Sequence, residues 1–116
     1  MNSERPKKTD RIKKSYDIKN LFKNGKKVSI CDAKIFFARN EQNFSRIAFT
    51  FPHNFGNAVK RNRSKRFSRE VFRSFKTRLY EGFDIVFFVY PVEKESFELR
   101  CNQFEKLCKK ANLLKS

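Results

Sequence analysis

The chain has 116 residues, with 15 Phe, no Trp, three Gly and three Pro, and its 28 Lys or Arg against 12 Asp or Glu give a formal net charge of +16. This length suits one domain with its own core, and such a charge opposes compaction unless a polyanion is at hand. No apolar run is long enough to span a bilayer, the first residues lack the apolar stretch of a secretory signal, and Cys31, Cys101 and Cys108, with His53 as the lone His, have no zinc-site spacing. The expectation is a cytoplasmic protein with reduced thiols and a nucleic-acid partner, not a membrane one.

Residues 1–14 are expected to form a flexible basic tail containing Arg5, Lys7, Lys8, Arg11, Lys13 and Lys14. Neither a linker nor an internal repeat follows, so residues 1–116 are taken as a single domain. A short helix is predicted next, with Ser15 as N-cap, Asp17 in its positive first turn, Ile18, Leu21 and Phe22 at helical spacing, and Asn24-Gly25 as its stop. Extended segments follow at Val28–Ile30 and Ala33–Ala38, with a turn at Asn40–Asn43. From Arg46 to Phe51, Ile47, Phe49 and Phe51 alternate with Arg46, Ala48 and Thr50 until Pro52 ends the strand. A long basic helix is predicted over Asn57–Leu79. After Glu81-Gly82, Asp84–Tyr90 is almost wholly apolar, as in a central strand covered on both faces. Ser96 then caps a last helix with Glu98 in its first turn and an apolar stripe of Phe97, Cys101, Phe104, Leu107 and Cys108, ending near Asn112. Cys101 and Cys108 are read as small core hydrophobes. The order α-β-β-β-α-β-α predicts an α+β sandwich, a sheet with helices packed on it.

The long helix carries the functional signal. Asn57–Leu79 holds nine Lys or Arg and one acid, Glu70. At about 100° per residue, Asn62, Lys65, Arg66, Arg69, Arg73 and Lys76 fall on one flank, and Phe67, Val71, Phe72, Phe75 and Leu79 on the other. A face needed only for solubility would mix signs, because like charges four residues apart repel. Lys65–Arg69 and Arg69–Arg73 are such pairs, so the flank suits phosphates. Guanidinium groups meet phosphate oxygens or base edges with two hydrogen bonds. Asn57 and Asn62 add neutral polar groups, and Asn57 is also the expected N-cap, at a helix end that favours anions.

The stretch Gly56-Asn57-Ala58-Val59-Lys60-Arg61-Asn62-Arg63-Ser64-Lys65-Arg66-Phe67-Ser68-Arg69-Glu70 closely resembles the signature of the bacterial ribonuclease P protein component: G-N-A-V, a free position, R-N-R, a free position, K-R and R-E. The resemblance extends over nearly the whole chain. It implies a left-handed β-α-β crossover, which periodicity alone does not give. It also implies a non-catalytic subunit of ribonuclease P, in which a partner RNA removes the 5′ leader of precursor tRNA with magnesium ions held mainly by that RNA. No metal and no catalytic residue are expected on the protein. Asn57, Lys60, Arg61, Asn62, Lys65, Arg66, Arg69 and Arg73 are the expected RNA-binding residues. A leader cleft between the first helix and the sheet would be lined by Ile18, Phe22, Phe36, Ala48 and Thr50, where single-stranded nucleotides stack with little sequence preference. Two departures stand out: Pro52-His53-Asn54-Phe55 replaces a stretch that often carries two lysines, and Ile18 stands where the family commonly has an aromatic ring.

Three other functions compete with this one. A ribosomal or other structural RNA-binding module fits the charge and the helix equally, and only the motif separates it. A protein-only nuclease needs clustered carboxylates or paired histidines, whereas Asp10, Asp17, Asp32 and Asp84 are scattered. A DNA-binding protein would bring dimerisation heptads or a tight helix-turn-helix pair, and the sequence has neither.

Overall fold

A computed structural model describes residues 11–115. Residues 1–10 of the expected basic tail lie outside them. The rest of that tail is fixed to the body: Arg11 bridges to Ile47, the Ile12 amide donates to the Ile47 carbonyl (2.9 Å), and the Ile12 side chain is buried.

The order is α1 (Ser15–Asn24), β1 (Lys26–Ile30), β2 (Ala33–Arg39), β3 (Arg46–Thr50), α2 (Ala58–Phe75), β4 (Phe83–Val89) and α3 (Phe97–Lys110). The α+β order is as the sequence predicted. The four strands form one sheet in the order β1-β2-β4-β3. β2 is antiparallel to β1 and β4, while β3 and β4 are parallel and joined through α2. β4 is therefore central, as its unbroken apolar run required.

The two faces of the sheet serve different helices. On one, Ile35, Phe37, Ile47, Ile85, Phe87 and Val89 join Val71, Phe72 and Phe75 of α2 and Phe104, Leu107 and Cys108 of α3 in the main core. Rings stack there: Phe75 lies 5.5 Å from Phe104, and Phe104 lies 5.0 Å from Phe87. On the other face, Phe36, Ala48 and Val86 pack under Leu21 and Ile18 of α1.

Three local expectations change. Lys14, not Ser15, is the N-cap of α1, and no side chain caps that end. The helix does stop at Gly25, whose amide bonds the Leu21 carbonyl (2.9 Å); a Cβ there would lie 2.6 Å from that oxygen, a contact only glycine avoids. Helix α2 ends at Phe75, four residues short of Leu79, and residues 76–78 form a turn held by bonds from the Arg78 and Leu79 amides to the Phe75 carbonyl. In α3, Ser96 caps as expected (Leu99 N–H to Oγ, 3.1 Å), but Phe97 is exposed, while Arg100 and Gln103 are buried in its place. Arg100 is fully buried because its guanidinium donates to Glu95 (2.7 Å), to Gln103 (2.8 Å) and to the Tyr90 carbonyl (3.1 Å). A buried cation needs such complete pairing.

Candidate RNA interface

The basic helix is anchored at both ends. Phe55 is buried in the main core with its ring 4.6 Å from Phe51, which fixes the loop entering α2. Asn57 Oδ1 then accepts the Lys60 amide at 2.9 Å and caps the helix. Arg61 reaches back to donate to the Gly56 carbonyl. Gly56 itself has φ +152°, backbone that suits glycine.

The buried stripe of α2 is Ser64, Ser68, Val71, Phe72 and Phe75. Phenylalanine thus lines only the C-terminal half of that stripe, and Phe67 is half-buried. The N-terminal half is lined by two buried serines whose hydroxyls find no hydrogen-bond partner among the described residues; side chains this small leave room for the helix backbone to approach closely. Ahead of Ser64, residues 58–63 are exposed all round, with Val59 75% accessible. The first turn and a half of α2 projects from the body.

Asn62, Lys65, Arg66 and Arg73 lie exposed on the outward flank. Arg69 is on the same flank but half-buried, with its Nε shielded and unbonded. By the helical rotation, Lys60 and Arg61 point about to the side that Ser64 and Phe75 occupy further along; they are exposed because no described residue covers the projecting turns. Glu70 pairs with Arg73 at 3.1 Å. Among the described residues no carboxylate pairs with Lys60, Lys65, Arg66 or Arg69. An array of like charges on a rigid rod, with its counter-charges elsewhere, can neutralise a polyanion.

The second region is the sheet face under α1. Strand register arranges it in rows. Arg46 lies beside Asp84 and Ala38; Ala48 beside Val86, Phe36 and Lys27; Thr50 beside Phe88, Lys34 and Ser29. Of the five residues expected to line a leader cleft, Phe36 and Ala48 are buried beneath α1, and Ile18 packs on them. Phe22, 39% exposed, and half-buried Thr50 remain at the open end. The first row is closed by ions: Arg46 donates to both oxygens of Asp84 (2.8 and 2.7 Å), with Asn40 bonding the same carboxylate (2.8 Å) and Asp17 4.0 Å away. The hydrogen bond to Asp84 raises the Arg46 pKa above its ordinary value. Beside this cluster, Arg11, Lys13 and Lys14 line a shallow groove with Gln42 and Phe44.

The register also brings together residues that the sequence did not single out. Lys34 Nζ stands 4.7 Å from the Phe88 ring centre, 5.5 Å from Tyr90 and 5.6 Å from Phe36. The i, i+2 spacing of Phe88 and Tyr90 signals a shared face, but only strand pairing places Lys34 there too. Cysteine placement is mixed: Cys108 is buried and Cys101 half-buried, as expected for core thiols, while Cys31 is exposed in the β1–β2 turn. Among the described residues no three His, Cys, Asp or Glu gather as a metal site, and no helix is long and apolar enough to cross a membrane.

The family model for ribonuclease P matches residues 7–112. The chain belongs to the ribonuclease P protein family. Relatives agree: the ribonuclease P protein component of Borrelia duttonii is 44% identical over 81 residues, 69% of this chain and 71% of that one, and that of Thermotoga petrophila is 35% identical over 107 residues, covering 91% and 90%. Among solved structures, the Staphylococcus aureus RNase P protein superposes with a TM-score of 0.81 at 28% identity, covering 91% of this chain and 98% of that one. The Thermotoga maritima RNase P protein gives 0.78 at 30% identity over 86% and 96%. Membership places the chain in tRNA processing and implies a partner RNA component.

Proposed function

We propose that the protein binds the catalytic RNA of ribonuclease P through the outward flank of α2 and holds the 5′ leader of precursor tRNA along the sheet face beside α1. The RNA performs the magnesium-dependent cleavage, and the protein supplies no catalytic side chain. It acts in the cytoplasm, on RNA and not on DNA or membrane.

The observation that carries this reading is the outward flank itself: Lys65 and Arg66 stand exposed beside half-buried Arg69, none paired with a described carboxylate, on a helix tied down by Asn57 and Phe75. Cations fixed on a rigid element lose little freedom on meeting phosphates, so the association favours structured RNA. Lys60 and Arg61, on the projecting turns, would contact RNA reaching over the helix end, where the N-terminal amides also favour anions.

Reconstitution tests the proposal. Adding the protein to the catalytic RNA should raise precursor-tRNA cleavage at low magnesium, where phosphate repulsion is least screened. No stimulation, together with retained affinity for folded RNA, would point to a structural RNA-binding module. Cleavage by the protein without RNA would point to a protein-only nuclease.

A further inference from the structure

We propose that Lys34, Phe88 and Tyr90 form a separate step for one leader nucleotide, a base stacked on the rings and its phosphate on the Lys34 ammonium. This deepens the leader-binding reading and rests on it. Helix α1 covers only part of its sheet face: the row with Phe36 and Ala48 is buried, while the next row, Ser29, Lys34, Phe88 and Thr50, is not sealed. Phe88, Tyr90 and Lys34 are each half-buried there. The Phe88 and Tyr90 rings are 5.2 Å apart and inclined at 59°, and the partly exposed Phe22 ring lies 6.3 Å from Phe88. The strip therefore continues the aromatic path past the covered end of the cleft.

The occupant follows from charge and shape. A flat ring is the natural guest of a tilted aromatic pair. A cation lying over those same rings suits a guest that also carries a negative charge, because the ammonium can leave the ring faces for a phosphate while the base takes its place. A single-stranded nucleotide has both parts, and stacking needs no particular base. The platform is braced from behind: Tyr90 donates its amide to the Asp32 carbonyl (3.0 Å), and its own carbonyl accepts from fully buried Arg100. Arg100 is thus a positioning residue for the strip.

The experiment uses the reconstituted holoenzyme and precursor tRNAs whose leaders are lengthened one nucleotide at a time. For the unaltered protein, affinity should rise in steps with leader length. Tyr90→Ala should remove one step, about a tenfold loss on long leaders, and match the unaltered protein on the shortest. Tyr90→Phe should keep the step. Lys34→Met, at a half-exposed site where folding is not at stake, should lower the slope of log affinity against log salt by about 0.7 for long leaders only. Affinity for the catalytic RNA should stay the same in all three. If Tyr90→Ala keeps the step, or Lys34→Met keeps the salt slope, the strip is not the site, although leader binding stands. If the unaltered protein gains nothing from a longer leader, the underlying reading fails and this one with it.

Discussion

The two halves of α2 differ in both charge and surroundings: Ala58–Lys65 carries four Lys or Arg and no acid, and Ser68–Phe75 carries two Arg and one Glu. From Ser68 to Phe75 the helix lies on the core through Val71, Phe72 and Phe75, and its acid, Glu70, pairs with Arg73. From Ala58 to Lys65 only Ser64 is buried, and the basic residues have no described carboxylate beside them. One half fixes the rod and the other presents it. Stability and RNA affinity should therefore separate along a single helix.

The largest effect should fall on the fixed half. Phe75→Ala removes a buried ring stacked on Phe104 and should cost about 3–5 kcal/mol in urea unfolding, with no loss of RNA affinity per folded molecule. An equal fall in affinity per folded molecule would mean that the packed face is not separate from the RNA-binding flank. Next comes the junction. Ser68 is 1% exposed, with an unbonded hydroxyl. Ser68→Leu should overfill this close approach and destabilise by about 1–3 kcal/mol, whereas Ser68→Ala should be neutral or slightly stabilising, since it removes an unsatisfied group. If leucine is accommodated without cost, the serines are not there to let the helix come close.

A smaller effect depends on pH. Burial among the residues under the packed half pushes the Cys108 thiol up to about 12. The folded thiol stays protonated where the unfolded one, with an ordinary pKa near about 8.5, has ionised. The contribution is thus fully present below the unfolded value and is lost as pH rises from there towards 12, at no more than about 1.4 kcal/mol per pH unit. Denaturant titrations from neutral to alkaline pH should show this decline, and Cys108→Ala should flatten it after its own constant loss of packing. An unchanged slope would assign the decline to other groups.

Legibility in the sequence followed how local each feature is. Period-two alternation identified both faces of β3, and the unbroken apolar run marked β4 as central. Asn57 and Ser96 were readable as caps because capping is decided within four residues. The motif around Arg61-Asn62-Arg63 carried the family. Buried Arg100 and Gln103 were not readable, because Glu95 and the Tyr90 carbonyl accept from Arg100 only once the segment between β4 and α3 folds back on the helix, and Gln103 accepts from Arg100 in turn. Ser64 and Ser68 at the inner face of α2 were not singled out for a different reason: helical rotation points them inward, but a hydroxyl adds nothing to an apolar stripe. The grouping of Lys34 with Phe88 and Tyr90 needs the β2–β4 register. The fixing of Ile12 needs the edge of β3. Neither is written in a run of neighbouring residues.

RNA docking depends on where the cations sit, not on how many there are. The most direct test is the salt dependence of binding to the catalytic RNA for two double variants that lose the same charge: Lys65→Ala with Arg66→Ala on α2, and Lys94→Ala with Lys106→Ala, at exposed positions beside and on α3. The slope of log affinity against log salt should become shallower by about two for the α2 pair and remain unchanged for the other. Equal changes in both would show that the RNA responds to net charge alone, and the outward flank of α2 would lose its role as the docking surface.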